Sequence, residues 1–325
     1  MEYPSFSHQP SPEKQTDKAG SGKLVSIVLS TYNGEAFLAK QLESLAEQSY
    51  QYIEIIAVDD GSSDSTVTIL HEYAVAYPHI KVFQNEVNLG FVKNFDRGCS
   101  LAKGEFIALC DQDDYWHTDK IKKMVEGING FSMIYCNSLL CDEKLHQTGK
   151  KISDRVNCLP ITNCLQQAIF CRIYGHATLF KRDLYTQAHP FLEVIPHDWW
   201  LCYTAALCNG ITYLDEPLVY YRQHSTNLFG AVGGRKKKHH KENKRLENAV
   251  VRTRIAAFYH ACPAEKTHEK SVLHGLVKSY RSFSFRNNLR RMILFLRYRN
   301  VFLVVKKHSA LHRFLFCLKM FVKIT

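Results

Sequence analysis

Short apolar runs alternate with longer amphipathic segments through the first half of the chain. Residues 25–30, 53–58 and 106–110 are rich in Val, Ile and Phe, a composition typical of buried parallel strands. Between them, apolar residues recur every three or four positions, as from Leu38 to Leu45, which predicts helices that bury one face. This order predicts an α/β fold with a doubly wound, mostly parallel sheet flanked by helices.

The remaining elements follow from the same criteria, although the pattern becomes mixed after about residue 150. They are short strands at 81–83, 131–135, 177–180, 211–214 and 218–221, a helix at 197–208, and regions of helical pattern at 245–260 and 272–325. The last two regions are basic and rich in aromatic residues, so the chain is predicted to end in a basic helical extension.

The charge is unevenly distributed along the 325 residues. Residues 235–325 carry 23 Lys and Arg against 4 Asp and Glu, a net charge of +19, whereas residues 1–234 carry 19 against 27, a net charge of −8. A basic region of this kind favours an anionic partner, either a membrane or a nucleic acid.

Cysteine usage and hydropathy narrow the class of protein. The eleven cysteines form no CxxC pair and no zinc-site spacing, and several lie within apolar runs, which favours a reducing compartment. Residues 1–23 are rich in Ser, Pro and Lys and lack the apolar core of a signal peptide, so we predict a disordered lead. The chain has no run of about 18 uncharged apolar residues that would predict a membrane span.

Carboxylates follow two of the predicted strands directly. Asp59 and Asp60 come after the strand 53–58, and the sequence Asp-Gln-Asp-Asp at 111–114 comes after the strand 106–110. In open α/β sheets, ligands bind beyond the carboxyl ends of the strands, and Mg²⁺ and Mn²⁺ prefer carboxylate oxygens. The sequence therefore predicts an acidic crevice that suits a divalent cation and a phosphate-bearing ligand.

Five motifs in a fixed order resemble those of glycosyltransferase family 2, and the resemblance covers about residues 24–230. They are VSIVLSTYNG at 25–34, VDDGS at 58–62, DQDD at 111–114 with Trp116 and Asp119-Lys120-Ile121, HDWW at 197–200, and YRQH at 221–224. One such motif is weakly specific, whereas five in order are specific. The resemblance implies an inverting enzyme with the GT-A fold.

The resemblance also implies a division of the chain. We predict a disordered lead at 1–23, a GT-A catalytic domain at 24–230, and the basic helical extension at 231–325. Within the catalytic domain, residues 24–135 correspond to the nucleotide-sugar-binding half, and residues 136–230 correspond to the acceptor half.

The donor nucleotide is assigned by resemblance to the ends of the first two strands. Ser30 and Tyr32 correspond to the platform for the base, with the tyrosine ring near a pyrimidine. Asp59 and Asp60 correspond to a pair in which one carboxylate accepts the N3–H of the base; we assign Asp60 to the base and Asp59 to support, and leave the reverse order open. This acceptor selects uracil or thymine, because cytosine has no proton at N3. A tight turn and a helix-capping acidic pair are the structural alternatives.

The DQDD sequence resembles the family's metal-binding DXD motif. Asp113 is the predicted ligand of Mg²⁺ or Mn²⁺, Asp111 is predicted to reach the donor ribose or the metal, Gln112 is placed with the donor-binding residues, and Asp114 is predicted to support the loop. The ion would neutralise the diphosphate leaving group. The alternative for these residues is a solvated acidic turn.

The HDWW sequence resembles the position of the family's catalytic base. An inverting transfer needs a carboxylate that deprotonates the acceptor hydroxyl, and Asp198 is the candidate; its alternative is a cap at the start of a helix. Trp199 and Trp200 are predicted to line the acceptor sugar, with core packing as their alternative.

Three further residues are placed by resemblance. His224 is predicted to contact the metal or the diphosphate, and its alternative is a structural histidine. Lys93 is predicted to lie near the donor, and its alternative is a solvated helix face. His176 is predicted to border the acceptor.

The leading hypothesis is an inverting transferase that moves a sugar from a UDP- or dTDP-sugar to a lipid-linked or growing surface glycan. The DQDD motif most resembles that of bacterial rhamnosyltransferases. One alternative is a nucleotidyltransferase, although residues 30–34 lack the glycine-rich basic loop expected there. Another is an inactive protein whose basic tail binds an anionic surface or nucleic acid; with no recognised reading module, no specific nucleic acid is expected.

The extension alternates apolar groups, at 292–296, 301–305 and 314–320, with Arg and Lys. This pattern suits helices that lie on an anionic bilayer, with basic side chains at headgroup level. The alternative is a pair of helices packed on the catalytic domain with a solvated basic face. We therefore predict a cytoplasmic protein, peripheral on the inner face of the cell membrane.

Overall fold

The structure, a computed structural model of the 325-residue chain, describes residues 22–225 and 241–322. The predicted disordered lead falls outside these residues up to position 21. The chain divides into two compact units. One contains the described residues 22–160 and 173–225, and the other contains 161–172 and 241–322. The predicted domain boundaries stay predictions.

The first unit contains one nine-stranded sheet with helices. Its strands are β1 (Val25–Thr31), β2 (Ile53–Asp59), β3 (Ile80–Gln84), β4 (Phe106–Asp111), β5 (Tyr115–Trp116), β6 (Met133–Cys141), β7 (Gln147–Lys151), β8 (Thr178–Lys181) and β9 (Ile211–Arg222). Its helices are α1 (Leu38–Ala46), α2 (Thr66–Ala76), α3 (Phe91–Leu101), α4 (Lys120–Gly127), α5 (Arg182–Ala188) and α6 (His197–Leu207).

The strands follow the order β3-β2-β1-β4-β8-β6-β9-β5, with β7 paired to β6. Strands β1 to β4 are mutually parallel where they pair. β1 is buried along both faces, with Val25, Ile27 and Val28 fully inaccessible, because helices cover both sides of a parallel sheet. The carboxyl ends of β1, β2 and β4 consequently meet at one edge.

The second part of the sheet is mixed in direction. β8 runs antiparallel to both β4 and β6, while β6 and β9 are parallel to each other. β5 pairs antiparallel with the end of β9. This arrangement brings the end of β9 beside the loop that follows β4.

The structure corrects several predicted elements of the first unit. The strands predicted at 211–214 and 218–221 are one strand, β9, whose register against β6 shifts around Pro217. Proline lacks the N–H that a regular ladder requires, so the strand continues through an irregularity. β6 extends six residues beyond the predicted strand 131–135, to Cys141. β7 was not predicted because all five of its residues are exposed and none is apolar.

The second unit is helical. It contains α7 (Lys241–Ala261), α8 (Thr267–Tyr280), α9 (Phe285–Arg297), α10 (Arg299–Phe302) and α11 (Ala310–Lys319). The region predicted to be helical over 272–325 is divided into several helices, and new ones begin after Ser284 and Ser309, whose hydroxyls accept backbone N–H groups from the first turns. In the described part of the chain, none of the helices has both the length and the apolar character needed to cross a membrane.

Contacts within the second unit explain why residues 161–172 belong to it. The Phe170 ring lies 5.8 Å from that of Phe316, nearly edge-on. The Lys306 Nζ lies 3.7 Å from the Phe170 centroid and 4.2 Å from that of Phe316. This cation between two rings fixes the segment to the helices.

A buried arginine connects three helices of the second unit. Arg291 of α9 is fully inaccessible. Its Nε donates to the Met320 carbonyl at 2.9 Å, and its Nη1 donates to the Ser279 carbonyl at 2.8 Å. Its Nη2 donates to the Asn288 Oδ1 at 2.9 Å. The guanidinium thus satisfies carbonyls at the ends of α8 and α11.

We predict that Arg291→Met lowers the free energy of unfolding by about 2–4 kcal/mol, because two buried carbonyls lose their donors. The exposed Arg297 of the same helix is the control, and Arg297→Met should change stability by less than about 0.5 kcal/mol. Urea denaturation followed by circular dichroism measures both. Equal effects of the two substitutions would contradict this account of Arg291.

Candidate active site

The predicted donor-binding residues of the first two motifs lie at one edge of the sheet. Ser30 of β1 pairs with Asp111 of β4, and Thr31 pairs with Asp59 of β2. Tyr32 and Asp60 directly follow the ends of these strands. The topology therefore brings together the ends of β1, β2 and β4, as expected for the ligand-binding edge of an open sheet.

Gln112 links the end of β1 to the loop after β4. The backbone N–H of Tyr32 donates to the Gln112 Oε1 at 2.8 Å, and the Gln112 Nε2 donates to the Tyr32 carbonyl at 3.0 Å. The Tyr32 side chain is 48% exposed. The amide of Gln112 is thus used to hold the backbone of Tyr32, and the tyrosine ring remains accessible.

Asp59 is buried and holds the turn after β2. Its carboxylate accepts the Thr31 hydroxyl at 3.0 Å and the Ser62 backbone N–H at 2.8 Å. The Ser62 hydroxyl also donates to it. These bonds connect β1 with the turn at Gly61, whose φ of 77° lies in the left-handed region.

Asp60 holds a different segment, the loop between β3 and α3. Its Oδ1 accepts the Asn85 Nδ2 at 2.6 Å and the Leu89 N–H at 2.8 Å, and its Oδ2 accepts the Gly90 N–H at 2.9 Å. The two adjacent carboxylates therefore have separate partners.

Asn94 connects these elements and was missed in the sequence analysis. It is fully buried on α3, and its Nδ2 donates to the Ser30 hydroxyl at 2.7 Å and to the Val58 carbonyl at 2.8 Å. Its Oδ1 accepts the Asn85 Nδ2 at 2.8 Å. An asparagine between Val92 and Phe95 on an apolar helix face was the available signal.

Asp113 and His224, the predicted metal ligands, lie together. The His224 Nε2 is 2.8 Å from the Asp113 Oδ2. The Arg222 Nε donates to the Asp113 carbonyl at 2.7 Å, and its guanidinium lies over the Phe37 ring, 4.7 Å from the centroid. The end of β9 thus supplies two partners for the acidic loop.

Asp111, Asp114 and His176 form the one group in the described part of the chain whose ligand atoms could surround a metal ion, all within 4.8 Å of one another. The His176 Nδ1 lies 3.6 Å from the Asp111 Oδ2 and 3.3 Å from the Asp114 Oδ2. The His176 Nε2 lies 3.1 Å from the Ser138 hydroxyl. His176, predicted at the acceptor, is thus placed beside the carboxylates, and its predicted role stays a prediction.

The burial of Asp114 perturbs its carboxyl group. Asp114 is fully inaccessible, and its Oδ1 accepts the Arg222 backbone N–H at 3.1 Å. Burial, followed by the charges of Asp113 and Asp111, raises the pKa of Asp114 well above its usual range. A nearby cation would favour the ionised form.

Lys120, another residue without a predicted role, lies behind this group. It is fully buried on α4; its Nζ donates to the His176 carbonyl at 2.6 Å and lies over the Trp116 ring. Burial lowers the pKa of Lys120 to about 8. The lysine holds the backbone at His176, and only the fold shows this contact, because 56 residues separate the two.

Asp198 lies in the first turn of α6, where its Oδ1 accepts the Trp199 N–H at 2.7 Å. Burial raises the pKa of Asp198 to about 7. The preceding residue, His197, stacks on Phe95 with the ring centroids 4.1 Å apart, and burial lowers its pKa to about 4. The apolar surroundings of α6 thus disfavour charge at both positions.

Three predicted contact residues have positions that bear on their roles. Trp200 is fully buried, and its Nε1 donates to the Ala188 carbonyl at 2.7 Å, which favours its alternative, core packing. Trp199 is partly exposed, and its role stays a prediction. Lys93 is about half exposed and pairs with Glu193 at 2.8 Å; its donor role also stays a prediction.

Comparisons with known proteins agree with this architecture. Residues 26–187 match the family described as Glycosyl transferase family 2. The dTDP-rhamnosyl transferase RfbG of Shigella flexneri is 31% identical over 214 residues, which cover 62% of this chain and 74% of RfbG. Uncharacterised Mycobacterium tuberculosis and Mycobacterium bovis proteins are 29% identical, and the chain spans 60% of their length.

Solved structures show the same fold at low sequence identity. The S. aureus TarS 1-349 complex with UDP-GlcNAc has a TM-score of 0.57 and 16% identity, covering 92% of this chain and 91% of that one. The mannosyltransferase PcManGT of Pyrobaculum calidifontis, in complex with GDP-Man and Mn²⁺, has a TM-score of 0.50 and 15% identity, covering 85% and 75%. The predicted GT-A type α/β fold is confirmed.

We predict that Gly34→Ala breaks the link between Gln112 and Tyr32. A Cβ at Gly34 would lie 2.2 Å from the Gln112 Oε1. Since that atom ends a flexible side chain, the amide should move away, with the fold retained and about 1–2 kcal/mol of stability lost. Gly130→Ala is the control, because a Cβ there meets nothing within 4 Å. Urea denaturation of both variants tests this, and equal stabilities would contradict it.

Proposed function

Because the chain belongs to glycosyltransferase family 2, we propose that it is an inverting enzyme that transfers a sugar from a UDP- or dTDP-sugar to a glycan hydroxyl. The observation that carries the proposal is the placement at one sheet edge of an accessible aromatic ring, Tyr32, and a candidate metal site formed by Asp111, Asp114 and His176. RfbG is a dTDP-rhamnosyl transferase and TarS binds UDP-GlcNAc, which supports a pyrimidine diphosphate donor.

The burial of the acidic pair favours Asp60 over Asp59 as the partner of the base. Three donors reach each carboxylate, and a carboxylate offers about four acceptor positions. Asp59 is fully inaccessible, whereas Asp60 retains a small exposed surface. We therefore assign the remaining position on Asp60 to the N3–H of uracil or thymine, with the Tyr32 ring available for stacking.

The acidic loop fits a divalent cation. Asp111 is 42% exposed at its side chain, Asp113 is 18% exposed, and Asp114 has a buried oxygen that lies 3.3 Å from the His176 Nδ1. Carboxylate oxygens suit Mg²⁺ or Mn²⁺, and the mannosyltransferase neighbour binds Mn²⁺. Asp111 and Asp113 would hold the ion, with His224 or His176 beside them. When bound, the ion supplies charge neutralisation of the diphosphate.

Asp198 is the proposed general base. In the transfer, the acceptor oxygen forms a bond to the anomeric carbon, the bond from that carbon to the diphosphate oxygen breaks, and the hydroxyl proton passes to the Asp198 carboxylate. A carboxyl group with a pKa near 7 is matched to this task, because it is ionised near neutral pH and still accepts a proton readily.

We propose that the acceptor is a lipid-linked or growing surface glycan and that the enzyme acts at the inner face of the cell membrane. Its support is the basic extension, which carries a net charge of +19 over residues 235–325 and would be attracted to anionic lipids.

Asp198→Asn should lower the transfer rate by about 10³-fold while leaving nucleotide affinity unchanged, because only proton removal is lost. In the unmodified chain the rate should rise with pH and level off above about 7, falling about tenfold per unit below it, since the ionised carboxylate is the active form. Initial rates and calorimetric titration with nucleotide measure these effects. Asp183→Asn, an exposed aspartate at the start of α5, is the control. Normal turnover by Asp198→Asn would refute the assignment.

Asp113→Ala should abolish the metal-dependent part of donor affinity. Calorimetry with UDP, dTDP, GDP and CDP, each with and without Mn²⁺, should show tight binding of UDP or dTDP only with the metal, and Asp113→Ala should bind them as weakly as the metal-free protein does. Asp183→Ala should bind normally. CDP should bind poorly, because cytosine lacks the N3 proton. The absence of binding by all four nucleotides with Mn²⁺ would contradict the proposed site.

A further inference from the structure

Helix α11 exposes an apolar stripe to solvent. Leu311, Phe314, Leu315 and Leu318 recur at intervals of three and four residues, which places them on one face. Their exposed fractions are 64%, 44%, 44% and 38%. Monomeric surfaces carry single exposed apolar residues routinely, but a contiguous helical stripe is typical of an interaction surface.

This stripe is not the face by which α11 packs within its unit. Cys317 and Met320 are buried at 0% and 1% exposure, and the Cys317 thiol donates to the Phe295 carbonyl of α9 at 3.3 Å. The helix therefore has one apolar face that is buried within the unit and a second that is exposed to solvent.

The exposed surface continues onto the start of α9. Phe285 is 71% exposed, and its ring lies 5.4 Å from that of Phe321, edge to face. Val322, just after the helix, is 66% exposed. We call the whole surface the α11 stripe; its members are Phe285, Leu311, Phe314, Leu315, Leu318 and Val322.

The charge around the stripe is of one sign. After Glu269 the sequence contains no acidic residue up to position 325, but it contains thirteen Lys and Arg. Arg286, Lys307 and Lys319, near the stripe members in sequence, are exposed. Two copies of such a surface would repel each other, whereas an anionic surface would be attracted to it.

We propose that the α11 stripe inserts into the headgroup region of an anionic lipid bilayer, with the surrounding Lys and Arg on lipid phosphates. Ten residues of helix span about 15 Å, half of the roughly 30 Å hydrocarbon core, so α11 lies along the surface. Apolar insertion combined with basic headgroup contacts is the binding mode of interfacial amphipathic helices. This surface stands independently of the donor site.

The test is co-sedimentation of the full chain with vesicles of phosphatidylcholine, with and without phosphatidylglycerol. The chain should bind only the anionic vesicles. The double substitution Leu311→Glu and Leu315→Glu should weaken this binding by at least about tenfold. Two apolar side chains that would be transferred from water into the bilayer are then replaced by charged ones. Leu246→Glu is the matched control, because Leu246 is a 69% exposed leucine of α7 outside the stripe, and it should weaken binding far less.

A second measurement reports insertion directly. In Phe314→Trp, the added tryptophan should shift its emission to the blue on vesicle binding and be quenched by brominated lipid. Nucleotide binding by the double variant should equal that of the unmodified chain, so a failed donor site and a failed lipid surface give different results.

Four results would overturn the proposal. They are no binding to anionic vesicles, equal binding by the double variant and the unmodified chain, tighter binding to RNA than to vesicles, and a dimer in analytical ultracentrifugation that the double variant converts to monomer. Each would assign the stripe to another partner or to none.

Discussion

The first unit depends on holding three carboxylates close together at the end of β4. Asp111, Asp113 and Asp114 would repel one another in a low-dielectric crevice, and burial adds to the cost of ionising Asp114. Their partners come from distant parts of the chain. His176 precedes β8, Arg222 is the last residue of β9, and His224 follows that strand. The second part of the sheet therefore supplies the groups that offset the repulsion within this short loop.

The part of the edge formed by β1 and β2 is stabilised differently, by neutral amides. Asn94 joins the hydroxyl of Ser30, the carbonyl of Val58 and the amide of Asn85, and Asn85 in turn donates to Asp60. Buried networks of this kind specify one geometry because each unsatisfied member costs free energy. The Tyr32 ring remains exposed, while the Gln112 amide holds the Tyr32 backbone.

The second unit forms its core from a strongly basic sequence, so some of its basic side chains are buried. Arg291 is accommodated inside by giving its donors to carbonyls and an amide. Lys306 lies between the rings of Phe170 and Phe316. The other basic residues lie largely at the surface, where they surround the exposed apolar residues of the α11 stripe.

Local pattern was enough to predict the α/β class, the strands β1 to β4, and the carboxylates at their ends, because apolar runs and turn residues act over short distances. It also identified the motifs that placed the chain in glycosyltransferase family 2. Equivalent neighbours such as Asp59 and Asp60, or Trp199 and Trp200, have the same local pattern and could not be told apart. Only the tertiary structure separated them, since burial and partners depend on which distant strands and helices pack against each side chain. The tertiary structure also decided that His176 lies beside Asp114, that Lys120 contacts the His176 carbonyl, and which face of α11 is buried.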